Sequence, residues 1–168
     1  SACSGEGKTF SSLNLALSIA VERDCRVLLI DADVVKPGLG RTLAMGDKLG
    51  LVEYLNGEID SLSDIMLTTN IHNLTVLPAG KTHHLSHELL ASNAMHELAK
   101  ELSSRYRDRI IIFDSPPVLI TSEAKVLSDL VGQIVLVVEQ DKTTQQAVND
   151  ALAELEPSKI SGLILNKS

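Results

Sequence analysis

Residues 2–9 read Ala-Cys-Ser-Gly-Glu-Gly-Lys-Thr, and this stretch restricts the chain more than any other. Small residues at this density let successive backbone N–H groups curl around an anion. Ala2, Gly7, Lys8 and Thr9 supply the spacing of a phosphate-binding loop. The helix that begins at Thr9 points its positive end at the same anion. Lys8 then reaches the β- and γ-phosphates, and the Thr9 hydroxyl ligates a bridging Mg²⁺. Ser4, Gly5, Glu6, Gly7, Lys8, Thr9 and Phe10 are therefore expected to line the phosphates of ATP or ADP. Such a loop normally follows a buried strand and opens a helix, which demands an α/β chain.

Two apolar runs that end in aspartate strengthen the reading. Leu28-Leu29-Ile30-Asp31-Ala32-Asp33 and Ile110-Ile111-Ile112-Phe113-Asp114-Ser115-Pro116-Pro117 have the continuous Ile/Leu character of strands buried on both faces of a parallel sheet. Ligands of such sheets bind outside the carboxyl ends of the strands. The loop, Asp31, Asp33 and Asp114 are thus expected to meet at one edge. A phosphate cradle beside carboxylates is what Mg²⁺-nucleotide chemistry requires.

Helix and strand signals alternate along the rest of the chain. Strands are expected at 26–30, 74–77, 110–113, 134–138 and 163–165. Helices are expected after Thr9, over 51–55, 122–130 and 143–155, and as one long element over 86–104. The implied architecture is a three-layer α/β/α domain with a mostly parallel central sheet, a P-loop nucleotide-binding domain over residues 1–168. The chain reads as cut at both ends, with no strand before Ala2 and a stop just after the last apolar run. No apolar stretch approaches 18 residues, so no transmembrane helix is expected. A net charge of −7 without a basic stripe argues against nucleic-acid binding. Two isolated cysteines, Cys3 and Cys25, suit a reduced cytoplasmic setting. His83, His84 and His87 beside Glu88 lack matching cysteines, so they read as solvated and not as metal ligands.

With these motifs in place, the chain resembles the cytoplasmic kinase domain of bacterial protein-tyrosine kinases, which use P-loop motifs. Gly5–Thr9 matches that family's first motif, Asp31, Asp33, Lys36 and Pro37 its second, and Asp114–Pro117 its third. Similarity continues through Leu77-Pro-Ala-Gly, Glu88-Leu-Leu-Ala-Ser and Gly162-Leu-Ile-Leu-Asn, and from 108 to 144 it is nearest the exosortase-associated autokinases of exopolysaccharide loci. The resemblance implies an ATP-dependent tyrosine autokinase that regulates exopolysaccharide synthesis and export. Lys8, Asp31, Asp33 and Asp114 would be catalytic, Thr9, Asp31 and Asp114 would hold Mg²⁺, and Asn166 would contact the adenine. It also implies a membrane-embedded chain-length regulator as activator, a tyrosine phosphatase, homo-oligomers of the full-length protein, and a cytoplasmic place at the inner membrane through that partner. Val35 stands where relatives often carry Arg, and the tyrosines are Tyr54 and Tyr106, neither in a tail.

A second reading stays open: a dimerising switch ATPase of the partition or positioning type, with no kinase activity. Those ATPases usually carry a further lysine early in the loop, where this chain has Cys3.

Overall fold

The computed structural model describes residues 1–81 and 86–167, apart from the side chains of Ser86 and His87. Its centre is β1 (Arg26–Asp31), flanked by β3 (Leu74–Leu77) and β4 (Arg109–Asp114), both parallel to it. The two-residue β2 (Leu67–Thr68) closes the outer edge antiparallel to β3, giving the order β2-β3-β1-β4. A separate parallel pair, β5 (Ile134–Glu139) and β6 (Ile160–Asn166), continues the architecture on the far side of β4.

Alternation along β1 explains the layers. Val27 and Leu29 face α1 (Lys8–Ala20), packing with Leu13, Ala16 and Ala20. Leu28 and Ile30 face the opposite side. There they join α3 (Leu51–Leu55) and α5 (Asn93–Arg105) through Leu51, Val52, Met95, Leu98 and Leu102. Successive side chains on a strand point to opposite faces, so one apolar run feeds two cores. A third cluster of Ala2, Leu136, Val138 and Ala151 packs β5 on α7 (Gln145–Ala153), under the start of the loop.

The structure corrects the reading in three places. The single helix expected over 86–104 is two, α4 (Ser86–Leu90) and α5. Ser92 separates them: its Oγ donates to the Leu89 carbonyl at 2.6 Å and accepts from the Met95 N–H at 3.3 Å. One hydroxyl thus closes a helix and opens the next, competing locally with the backbone. The strand expected at 163–165 begins earlier, at Ile160, directly after a 3₁₀ turn at Pro157–Lys159.

The third correction concerns β4, which is not buried on both faces as β1 is. Ile110 stays 47% exposed, because β4 pairs with β1 on one edge and forms no ladder with β5 on the other. Between β4 and β5 lies an apolar slot of about 480 Å³, lined by Ile110, Ile112, Val135 and Val137 and by Leu15 of α1. α2 (Leu39–Thr42) and α6 (Ser122–Leu130) complete the helices that bear on the site. No helix among the described residues is long and apolar enough to cross a membrane.

Candidate functional site

The strand order reverses at β1, because β3 lies on one side of it and β4 on the other. The crevice at such a reversal, beyond the carboxyl ends of the strands, is where open α/β sheets bind ligands. Asp31 and Asp114 occupy this place in register, as the last residues of β1 and β4. The Ala32 N–H donates to the Asp114 carbonyl at 2.9 Å, so the pairing continues one residue past the strands.

The loop enters the same crevice. The Val118 and Leu119 N–H groups donate to the Ser1 and Ala2 carbonyls at 2.8 and 3.2 Å, which holds the approach to the loop. Gly5 and Gly7 then take φ of +86° and +90°, left-handed values that a side chain resists. Gly7 caps α1 with no side-chain acceptor, and α1 has no acidic residue in its first turn. Its leading N–H groups and positive end are therefore available to an anion. A Cβ on Gly7 would also overlap the Asn166 amide and push it off the Glu6 carbonyl.

Both aspartates are almost fully buried, at 1% and 2% exposure. Asp31 Oδ2 accepts the Leu39 N–H at 3.0 Å, which seats α2 over the crevice. Asp31 Oδ1 and both carboxylate oxygens of Asp114 have no hydrogen-bond partner of ordinary geometry among the described residues. Burial, followed by the neighbouring Asp114 charge, raises the Asp31 pKa from 3.8 to about 7. Burial also raises that of Asp114, opposed by the Thr9 hydroxyl and the Lys8 ammonium nearby. Desolvation penalises an ionised carboxyl, and a like charge adds to the penalty. With only the Thr9 and Ser12 hydroxyls and the Lys8 ammonium near Asp114, and no bond of ordinary geometry to these three buried oxygens, the crevice favours a proton or a cation. Hard oxygen donors suit Mg²⁺ well.

The structure brings Lys8, Thr9, Asp31 and Asp114 together at this crevice. Asp33 lies at its rim, half-buried, accepting the Lys36 N–H at 3.0 Å in a tight turn. The Glu6 side chain is buried and aimed into the protein, and Asn166 donates to the Glu6 carbonyl at 2.9 Å. Phe10 is 63% exposed on the first turn of α1, its ring turned to solvent. His83 and His84 lie outside the described residues, as does the His87 side chain; no metal-binding cluster of His, Cys, Asp and Glu occurs among those described.

Sequence reasoning missed Gly38, Thr143 and Lys167. A Cβ on Gly38 would overlap Thr9 Oγ1, so this glycine leaves room for the hydroxyl. Its place directly after Pro37 was the available hint. Thr143 and Lys167 meet the loop from far along the chain, through Glu6 and the Gly5 carbonyl, and no local pattern announces them.

Comparison with known proteins agrees with this fold. A family model described as an AAA domain matches residues 3–159. The tyrosine-protein kinase YwqD of Bacillus subtilis (strain 168) is 36% identical over 169 residues, covering 99% of this chain and 69% of YwqD. The succinoglycan biosynthesis transport protein ExoP of Rhizobium meliloti (strain 1021) is 37% identical over 174 residues, all of this chain but 22% of ExoP. Among solved structures, the VpsO kinase domain superposes with a TM-score of 0.88 at 37% identity, over 98% of this chain and 80% of that one.

Proposed function

Because this chain belongs to the AAA-domain family and, within it, to the bacterial tyrosine-protein kinases, we propose that the crevice at Asp31 and Asp114 transfers the γ-phosphoryl group of ATP to tyrosine. The observation that carries this is the pair of buried strand-end carboxylates, in register beside a phosphate loop at the strand-order reversal. The Lys8 ammonium and the first N–H groups of α1 hold the β- and γ-phosphates. Thr9, Asp114 and Asp31 hold Mg²⁺, which when bound neutralises charge developing on the phosphates. Asp31 also accepts the proton of the tyrosine hydroxyl as its oxygen bonds to phosphorus and ADP departs. A phenol of pKa about 10 needs such a base at neutral pH. Asp33, at the rim, orients the incoming tyrosine or the cation shell, and Asn166 contacts the adenine.

The relatives' names support a setting. ExoP is named for succinoglycan biosynthesis and transport. This chain acts as the kinase part of an exopolysaccharide system, working on tyrosines of its own full-length protein in a homo-oligomer. A membrane-embedded chain-length regulator activates it at the cytoplasmic side of the inner membrane, and a tyrosine phosphatase reverses it.

Phosphotyrosine blotting after incubation with Mg-ATP tests the assignment. Asp31→Asn leaves ATP affinity within about tenfold while phosphorylation falls by a larger factor, since a base acts in the transition state. Near-normal phosphorylation in that variant excludes Asp31 as the base. ATP hydrolysis without phosphotyrosine in the unaltered protein favours the switch-ATPase reading.

A further inference from the structure

We propose that Glu6 is a positioning residue: with Thr143 it latches the phosphate loop to the turn between β5 and α7, fixing the loop in its anion-holding shape. The inference rests on the nucleotide reading above and adds a part to it. Glu6 is 2% exposed although Cys3, Ser4 and Gly5 before it are exposed and Gly7, Lys8 and Thr9 after it are half-buried. Its Oε2 accepts the Cys3 N–H at 2.7 Å, and its Oε1 accepts the Thr143 hydroxyl. Thr143 Oγ1 in turn accepts the Glu139 N–H at 3.3 Å, tying it to the end of β5.

The neighbouring contacts point the same way. Asn166 Nδ2 donates to the Glu6 carbonyl at 2.9 Å, and Lys167 Nζ donates to the Gly5 carbonyl at 2.7 Å. Lys167 is itself held by Glu139 at 3.0 Å. The loop's acceptors are thus taken up on its outer side. Among the described residues none accepts a hydrogen bond from the N–H of Gly7, Lys8 or Thr9, which are left for phosphate.

Physical need supports the assignment. Gly5 and Gly7 flank Glu6, and glycine has the most freedom to lose. A turn this pliable holds its N–H groups in a fixed fan only if something outside it does the holding. Binding to a preorganised cradle avoids that ordering cost at the moment the ligand arrives. β4 and β5 share no ladder, so the Glu6–Thr143 bond also links the loop to the β5–β6 half.

Calorimetric titration with Mg-ADP tests the latch, with melting temperatures of the nucleotide-free variants recorded alongside. Glu6→Ala weakens binding about tenfold or more, because it unpairs a part-buried N–H and frees the turn. Thr143→Val, an isosteric change at a half-buried position, weakens it several-fold. The double variant is no weaker than Glu6→Ala alone, since the shared bond is already gone. Glu6→Gln loses no more than about threefold: its amide oxygen still accepts from Cys3, and its amide NH₂ donates to Thr143 Oγ1. That rescue and that non-additivity separate positioning from general destabilisation. Additive losses, a Gln variant as weak as Ala, or Thr143→Val binding as tightly as the unaltered protein would overturn the proposal. Lys8→Met distinguishes the two levels. If it keeps full affinity, the nucleotide site itself is wrong. If it abolishes binding while Glu6→Ala and Thr143→Val bind normally, the latch alone falls.

Discussion

Replacing Asp31 with Asn removes a buried negative charge but keeps an acceptor for the Leu39 N–H, now 3.0 Å from Oδ2. In the folded, cation-free protein, burial and the Asp114 charge lift the Asp31 pKa from 3.8 to about 7. Each unit is worth about 1.4 kcal/mol, so ionising Asp31 costs the fold roughly 4 kcal/mol at a pH above both values. The folded state holds the proton more tightly than the unfolded chain does. Stability therefore falls as pH climbs from about 4 to about 7 and levels off above, the reverse of a carboxylate stabilised by a salt bridge. Asn carries no such penalty. Urea unfolding with a chelator present should find Asp31→Asn more stable at pH 8, by up to about 4 kcal/mol, with the two curves converging towards pH 4. Millimolar Mg²⁺ should narrow the gap, because the cation relieves the same charge. A variant that is less stable at pH 8, or a difference independent of pH, would refute the view that function is held here at the expense of stability.

Other sites give further checks. Gly38→Ala places a methyl on Thr9 Oγ1 and should weaken Mg-ADP binding about tenfold while the helix content by circular dichroism stays unchanged. Leu98→Ala, at a fully buried position of α5, should cost about 2–5 kcal/mol by denaturant unfolding. Ser92→Ala removes the cap between α4 and α5 and should cost about 1 kcal/mol in the same assay. Incubation with Mg-ATP followed by mass spectrometry should find Tyr54 and Tyr106 essentially unphosphorylated. The Tyr54 hydroxyl donates to Glu101 at 3.1 Å, and Tyr106 precedes β4 at the edge of the sheet opposite Asp114. Stoichiometric phosphate on either would contradict that geometry.

Much of the site was legible because its signals are local. The loop's small residues, Gly-Lys-Thr and two apolar runs ending in Asp each state their conformation within a few residues. Strand-end carboxylates converge by topology alone once the strands are parallel. Helix boundaries were less legible: apolar spacing from 86 to 104 continues through Ser92, and its hydroxyl decides the break by bonding both ways. The half-exposed β4 was not readable from its Ile-rich composition, because burial depends on which strand pairs at each edge.

The sequence by itself determined the phosphate loop, the α/β alternation and the identity of the two buried aspartates. Those follow from backbone conformations and periodicities that neighbouring residues impose on each other. Tertiary structure alone decided that Asp31 and Asp114 share a buried crevice, which moves the Asp31 pKa towards neutrality. It also decided that Glu6 turns inward to Thr143, 137 positions away. Desolvation and long-range hydrogen bonds are properties of what surrounds a group in space, and that surrounding exists only once the chain has closed on itself.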